Sequence, residues 1–324
     1  MNRFNNIKKI IILVILLIIT LSTFSCNSIL DRNKPAPQEK VNRTIDNALK
    51  WVDKHPANFT DGQFLEISES ILMFYLLYTH NRIQPEGKSY YLEQIKRRLK
   101  LLASKPDYKI GHQEYTIFLA IASVMKKLDL DIIDYNKIIK ETLLDDPDLY
   151  PSQHITTCIW NSLYLNRLGY KPNKSTKKFI EKSTLSKEIK FRLLTKETKN
   201  KANKAILEQI RLSMYDITHE IFCTTDFGEV TPESKILITQ RDFFAELFEQ
   251  CIKFCIKVKD VDLLSEIIMC SKILRLEQSI PSFHRAINFI ISRQEEDGSF
   301  GITNPGRPNA FRHGVMVAVM GLCF

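Results

Sequence analysis

The sequence contains few of the residues that interrupt regular structure, with 10 glycines and 12 prolines among 324 residues. This low content excludes collagen-like and linker-dominated chains. A hydrophobic fraction of 44% excludes a disordered chain, because it is enough to fill one large core or two smaller ones. No segment alternates polar and apolar residues as a half-buried β-strand does. The sequence therefore predicts an all-α fold.

The N-terminus has the pattern of an export signal. An uncharged run from Ile10 to Phe24 follows Arg3, Lys8 and Lys9, and it is shorter than the roughly 20 residues that span a bilayer. Ser25-Cys26 follows this run and resembles a bacterial lipoprotein cleavage site. The resemblance implies a signal peptide at 1–25 and a Cys26 acylated, as with palmitate, that anchors the chain in the cell envelope on the extracytoplasmic side of a membrane. An uncleaved N-terminal anchor is the alternative.

The other cysteines lie in apolar, helix-like stretches and form no Cys-x-x-Cys pair. We therefore expect them to be buried free thiols that pack as small hydrophobic residues. They are Cys158, Cys223, Cys251, Cys255, Cys270 and Cys323.

After a predicted tether at 26–38, helices of two compositions alternate. Helices that are apolar nearly all round begin near Phe64, His112 and His154, at spacings of 48 and 42 residues, and amphipathic helices lie between them. Further helices are predicted at 203–224, 233–258, 260–275, 282–294 and 311–322. A helical hairpin repeated at this spacing predicts a single domain over 39–324. Its architecture is an α/α toroid of about six hairpins or, as the second choice, an open helical-hairpin solenoid.

Residues 285–300 resemble the glutamine–tryptophan repeat of squalene cyclases and the related repeat of protein prenyltransferase β subunits. Gln294 takes the glutamine position, Gly298 the glycine position and Phe300 the position of the tryptophan. The resemblance extends over 285–322 and implies an α/α toroid with a central cavity. It does not imply the chemistry of these enzymes. The run Asp145-Asp146-Pro147-Asp148 falls in an apparent loop, and position 299 is serine where the zinc site of the transferases needs cysteine.

Residues 218–228 contain the pattern Thr-His followed by Thr-Asp-Phe-Gly. This pattern resembles a motif in an uncharacterised bacterial helical family, a domain of unknown function. On a continuous helix, His219 and Asp226 would share one face, where they could act as an acid/base pair or as ligands of a divalent metal. The plainer interpretation is that Thr225 or Asp226 caps a helix end and that Gly228 ends the helix.

Histidines recur where the apolar helices begin, at His112, His154 and His313. In a ring these helix starts would gather at one end of the central cavity. We therefore predict that the three histidines, together with Thr225, line a ligand-binding site.

Two functions remain open at this point. One is an extracytoplasmic lipoprotein whose toroid offers a cavity or a face to a ligand or partner. The alternative is a hydrolase or lyase acting on a glycan or peptide, with His219 and Asp226 as acid/base groups or metal ligands. The metal, the cofactor and the ligand are left open.

The formal net charge of +9 comes mainly from one segment. Residues 171–204 hold twelve lysines and arginines against three glutamates, with few aromatic residues among them. The scarcity of aromatic side chains argues against a nucleic-acid groove. For an anchored protein the segment could contact anionic headgroups, and a solvated outer face is the alternative.

Overall fold

The computed structural model describes residues 34–56, 63–80, 87–105, 110, 114–143, 155–171, 204–230, 241–300 and 310–324. These residues contain helices and no β-strand, so the predicted all-α class is confirmed. Four predicted features lie outside the described residues. They are Cys26, His112, His154 and nearly all of the basic segment, 172–203.

The described residues form eleven α-helices, labelled here in chain order. A π-helical turn, Ile139–Leu143, continues α5, and a 3₁₀ turn, Glu277–Ser279, precedes α10. The α-helices are α1 Gln38–Lys54, α2 Gln63–His80, α3 Gly87–Ala103, α4 Tyr115–Lys127, α5 Tyr135–Ile138, α6 Ile155–Leu168, α7 Lys204–Thr225, α8 Arg241–Val258, α9 Val261–Ile273, α10 Phe283–Ser292 and α11 Ala310–Cys323.

Burial differs between helices as their compositions predict. In α9, every residue from Val261 to Ser271 is buried, and Asp260 caps the helix by accepting a hydrogen bond from the amide of Leu263. In α1 the apolar stripe that includes Ile45 and Ala48 is buried, while the opposite face is in contact with solvent. A helix buried all round belongs to the interior of the molecule, and an amphipathic one belongs to its surface.

Six helices of the described chain, called the inner helices here, pack side by side. In order of contact they are α2, α4, α6, α7, α9 and α11. The last of them, α11, also packs against α2 and α1, so helices from the two ends of the chain are in contact. The others, including α3, α8 and α10, pack on the outside of this series.

Hydrogen bonds between neighbouring inner helices show that they run in the same direction. Near the start of α4, Thr116 bonds Asn161, which lies midway along α6, at 2.9 Å. At their ends, Lys126 of α4 donates to the carbonyl of Arg167 in α6 at 3.0 Å, and Arg167 donates to the carbonyl of Cys223 in α7 at 2.8 Å. Residues early in each inner helix therefore gather at one end of the molecule.

Residues 294–300 pack on α1 and so connect the C-terminal part of the chain to its first described helix. The side chain of Gln294 donates to the carbonyls of Thr44 and Gly298, at 2.8 and 3.2 Å. Asp297 accepts hydrogen bonds from the Trp51 indole at 3.2 Å and from the amide of Ser299 at 2.9 Å. Phe300 is buried. Gln294 thus bonds backbone groups of α1 and of a turn at residues 295–298, in which the amide of Gly298 donates to the carbonyl of Glu295.

The six cysteines predicted to be buried free thiols are buried and free. In the part of the chain that the structure describes, no helix has the length and apolar character needed to cross a membrane.

We predict that Gly298→Ala destabilises the protein more than Gly169→Ala. Both glycines have a positive φ, +94° and +97°, so both substitutions carry the backbone penalty of roughly 1–2 kcal/mol. A Cβ at position 298 would lie 2.3 Å from the carbonyl oxygen of Asn47 in α1, whereas a Cβ at 169 meets nothing within 4 Å. The extra cost at 298 is expected to be about 2 kcal/mol, measured by urea unfolding. Equal costs would contradict the described packing of 294–300 on α1.

Candidate functional site

A cavity of about 670 Å³ lies between the inner helices, and all six of them contribute to its wall. This volume falls within the range of small-molecule sites in proteins. The lining residues are Leu65, Glu69, Leu72, Thr116, Ile117, Thr156, Thr157, Trp160, Tyr215, Asp216, His219, Phe222, Phe227, Glu266, Met269, His313, Val317 and Met320.

The lining is polar at one end and apolar at the other. In five of the six inner helices the polar lining residues come before the apolar ones along the chain, as Thr116 comes before Ile117, Glu266 before Met269 and His313 before Val317. Most apolar groups, such as Met320 and Met269, come later in theirs. Because the inner helices are parallel, this order along the chain becomes a polar end and an apolar end of one cavity.

His219 lies on the cavity wall beside a buried carboxylate. Its Nε2 is 3.4 Å from Oε1 of Glu266 in α9, and 45% of the histidine side chain is exposed. Glu266 is itself buried, and its other oxygen accepts a 2.5 Å hydrogen bond from the hydroxyl of Thr218. Thr218 therefore orients the carboxylate that faces the imidazole.

Two opposing effects set the pKa of His219. Burial favours the neutral imidazole and acts to lower the pKa, whereas the negative charge of Glu266 acts to raise it. Burial is the largest single effect, but the charge of Glu266, its hydrogen bond with the ring and the charge of Asp262 together outweigh it, so the pKa of His219 is raised above its ordinary value. The imidazole is thus more readily protonated than a free histidine.

His313 bridges two carboxylates from different helices. Its Nδ1 lies 3.0 Å from Glu69 in α2, and its Nε2 lies 3.3 Å from Asp262 in α9. Burial acts to lower the pKa of His313, but the two carboxylates raise it well above the ordinary value. The cavity therefore contains two imidazoles whose pKa values are raised by neighbouring carboxylates.

A network behind the cavity wall supports Asp262. The Tyr215 hydroxyl donates to Asp262 at 2.6 Å, and Arg211 pairs with the neighbouring Asp260 at 2.6 Å. Burial, followed by the charge of Asp262, raises the pKa of Tyr215 far above its ordinary value, so the phenol remains a hydrogen-bond donor.

The structure does not bring Asp226 to the cavity, which corrects its predicted pairing with His219. Helix α7 ends at Thr225, and Asp226 has a φ of +50°. Because Asp226 lies outside the helix, it does not share a helix face with His219. Asp226 instead bonds Lys127 at 2.6 Å and the Tyr164 hydroxyl at 3.0 Å. It ties the end of α7 to α4 and α6.

Thr225 is likewise a helix-end residue and is not part of the cavity wall. Its hydroxyl donates to the carbonyl of Ile221 at 2.6 Å and accepts from the amide of Gly228 at 3.2 Å. The plainer interpretation of this half of the motif therefore describes it better than ligand binding does. Of the predicted site residues that the structure describes, only His219 and His313 line the cavity.

Three acidic residues that the sequence analysis did not single out complete the site. Glu69, Asp262 and Glu266 each lie in a helix that is otherwise largely apolar. A carboxylate in such a helix must be paired, because burying an isolated charge costs several kcal/mol. That pattern is visible in the sequence and could have identified them.

Among the described residues, no group of three or more histidine, cysteine, aspartate or glutamate side chains has the arrangement of a metal site. His219 and Asp226, considered above as metal ligands, have different partners: His219 faces Glu266 of α9, and Asp226 pairs with Lys127 of α4.

We predict that Glu266→Gln lowers the pKa of His219, because the substitution removes the negative charge that favours the protonated imidazole. The titration of the His219 ring followed by NMR measures this shift, with His219→Gln identifying the signal. The matched control is Glu249→Gln, which alters a carboxylate that pairs with Lys253 on the outer helix α8. An unchanged His219 pKa in Glu266→Gln would contradict the described pairing.

Comparison with known proteins gives one match. A model for a domain of unknown function (DUF6895) matches residues 164–311, which is somewhat less than half of the chain. This range contains residues 218–228 and helices α7 to α10. No curated protein and no solved structure matches the chain. Residues 164–311 are therefore similar to a domain whose function is unknown.

Proposed function

We propose that this protein binds a small molecule of mixed polarity in the cavity between the inner helices. The observation that carries the proposal is the lining of that cavity, polar at one end and apolar at the other. A small-molecule site combines an apolar wall, which supplies affinity, with a few polar groups, which fix orientation. The paired imidazoles and carboxylates are such groups.

The proposed architecture around this site is the α/α toroid. Support comes from contacts between residues far apart in the sequence: Arg312 of α11 pairs with Glu66 of α2, and Gln294 bonds the backbone of α1. An open solenoid would leave its first and last helices apart, whereas here α11 packs against both α1 and α2.

We further propose that the toroid is displayed on the outer side of a bacterial membrane by a lipid on Cys26. Pro35 and Ala36, near the start of the described chain, line a surface groove with Cys323 and Phe324. The proposed tether would therefore enter at the end of the molecule where the inner helices finish. The polar end of the cavity would then face away from the anchor. We also propose that the basic segment 171–204 contacts anionic headgroups.

A second candidate function is acid/base catalysis in the same cavity, as in a hydrolase or lyase. The observation that favours it is the series Thr218–Glu266–His219, in which a fixed carboxylate orients an imidazole. This arrangement is typical of a histidine that transfers protons, with Glu266 in place of the predicted Asp226. Turnover of a glycan or peptide that is lost in His219→Gln would distinguish this function from binding alone.

The neutral fluorescent probe N-phenyl-1-naphthylamine tests the binding proposal. We expect its fluorescence to rise saturably with the wild-type protein, because the probe enters the cavity, and the affinity to fall at least about tenfold in Thr157→Trp. Thr157 lines the cavity, so an indole there occupies the space that the probe needs.

The matched control is Thr79→Trp, which introduces the same side chain at an exposed position late in α2. It should bind the probe as the wild type does. Saturable binding that is equal in all three proteins, or absent from the wild type, would contradict the proposal.

A further inference from the structure

We propose that the ligand carries a cationic nitrogen, as a primary or quaternary ammonium group, on an apolar body. This inference rests on the proposed binding function and adds the chemical class of the ligand. It is carried by the balance of charge around the cavity together with an aromatic wall.

Among the residues that the structure describes, carboxylates outnumber imidazoles at the polar end. Glu69 and Glu266 line the cavity, and Asp262 contacts His313 directly behind the wall. These three acids face two histidines, so a negative charge remains even when both imidazoles are protonated.

No lysine or arginine is among the described residues that line the cavity. The nearest arginine of the network, Arg211, is paired with Asp260 at 2.6 Å. Both imidazoles already face carboxylates, at 3.0 to 3.4 Å. An anionic ligand would have to displace these pairs, whereas a cation adds a favourable partner to the excess acids.

Aromatic side chains form a continuous wall of the same cavity. Phe222 and Phe227 stack with ring centres 5.3 Å apart, and Trp160 meets Phe227 edge to face at 5.9 Å. Trp160 and Tyr215 then flank His219, at 6.2 and 6.1 Å. The faces of aromatic rings attract cations, most strongly for tryptophan, and acids beside an aromatic wall are the combination that binds organic ammonium groups.

Within the described part of the chain, two buried polar groups on lining residues have no hydrogen-bond partner. They are the indole nitrogen of Trp160 and the hydroxyl of Thr156, on residues that are 8% and 6% exposed. Buried polar atoms are normally paired, so both are consistent with a site completed by a bound molecule.

Three probes that share one phenylbutyl-type body but differ in charge test the inference. They are 4-phenylbutylamine, 4-phenylbutan-1-ol and 4-phenylbutyrate, titrated into the full chain by isothermal titration calorimetry. We expect the amine to bind at least about tenfold more tightly than the alcohol and the carboxylate.

Variants then locate the effect. Glu69→Gln and Glu266→Gln should each weaken the amine about tenfold and leave the alcohol unchanged, because they remove negative charge and keep the shape of the site. Glu249→Gln on the outer helix α8 should change neither affinity. Circular dichroism checks that each variant is folded.

The possible results separate the two proposals. If the alcohol or the carboxylate binds as tightly as the amine, the cationic ligand is excluded while binding in the cavity stands. If the amine retains its preference in both glutamine variants, the assigned carboxylates are wrong. If none of the three probes binds saturably, the proposed function itself fails.

Discussion

The imidazole of His313 is the interaction on which the cavity depends, because it joins three inner helices at the polar end. From α11 it contacts Glu69 of α2 and Asp262 of α9, so one side chain connects the last helix of the chain to the first inner helix. Neither acid could stay in its apolar helix without a partner. The same group thus contributes both to the contact between the two ends of the chain and to the chemistry of the cavity.

The alternation of apolar and amphipathic helices could be predicted from the sequence because it follows directly from the spacing of hydrophobic residues along the chain. Helices expected near 260–275 and 311–322 are found at Val261–Ile273 and Ala310–Cys323. The half of the site on α7 and α11, His219 and His313, was also predicted. Each lies before the apolar lining residues of its helix, His219 before Phe222 and His313 before Val317.

The rest of the site could not be obtained from local spacing. Asp226 stands seven residues after His219, which predicts a shared face only if the helix continues through both. The positive φ values of Asp226 and Phe227 end the helix first, and that change depends on contacts with Lys127 and Tyr164, which are distant in sequence. The true partner of His219 is Glu266, on a helix whose contact with α7 is a property of the assembled fold. Residues 218–228 therefore have two roles. Thr218 and His219 contact Glu266 at the cavity, and residues 226–228 end the helix.

If a charged His313 holds α2, α9 and α11 together, the stability of the protein must depend on pH. The measurement is the difference in unfolding free energy between the wild type and His313→Gln, obtained by urea unfolding at about pH 6 and about pH 9. The pKa of His313 is raised in the folded protein, mainly by Glu69 and Asp262 against the opposing effect of burial. Its contribution is therefore fully present below the unfolded pKa of about 6.5 and is lost as the pH rises through the folded pKa. We expect a larger difference at pH 6 than at pH 9. A difference that is constant, or that grows with pH, would contradict it.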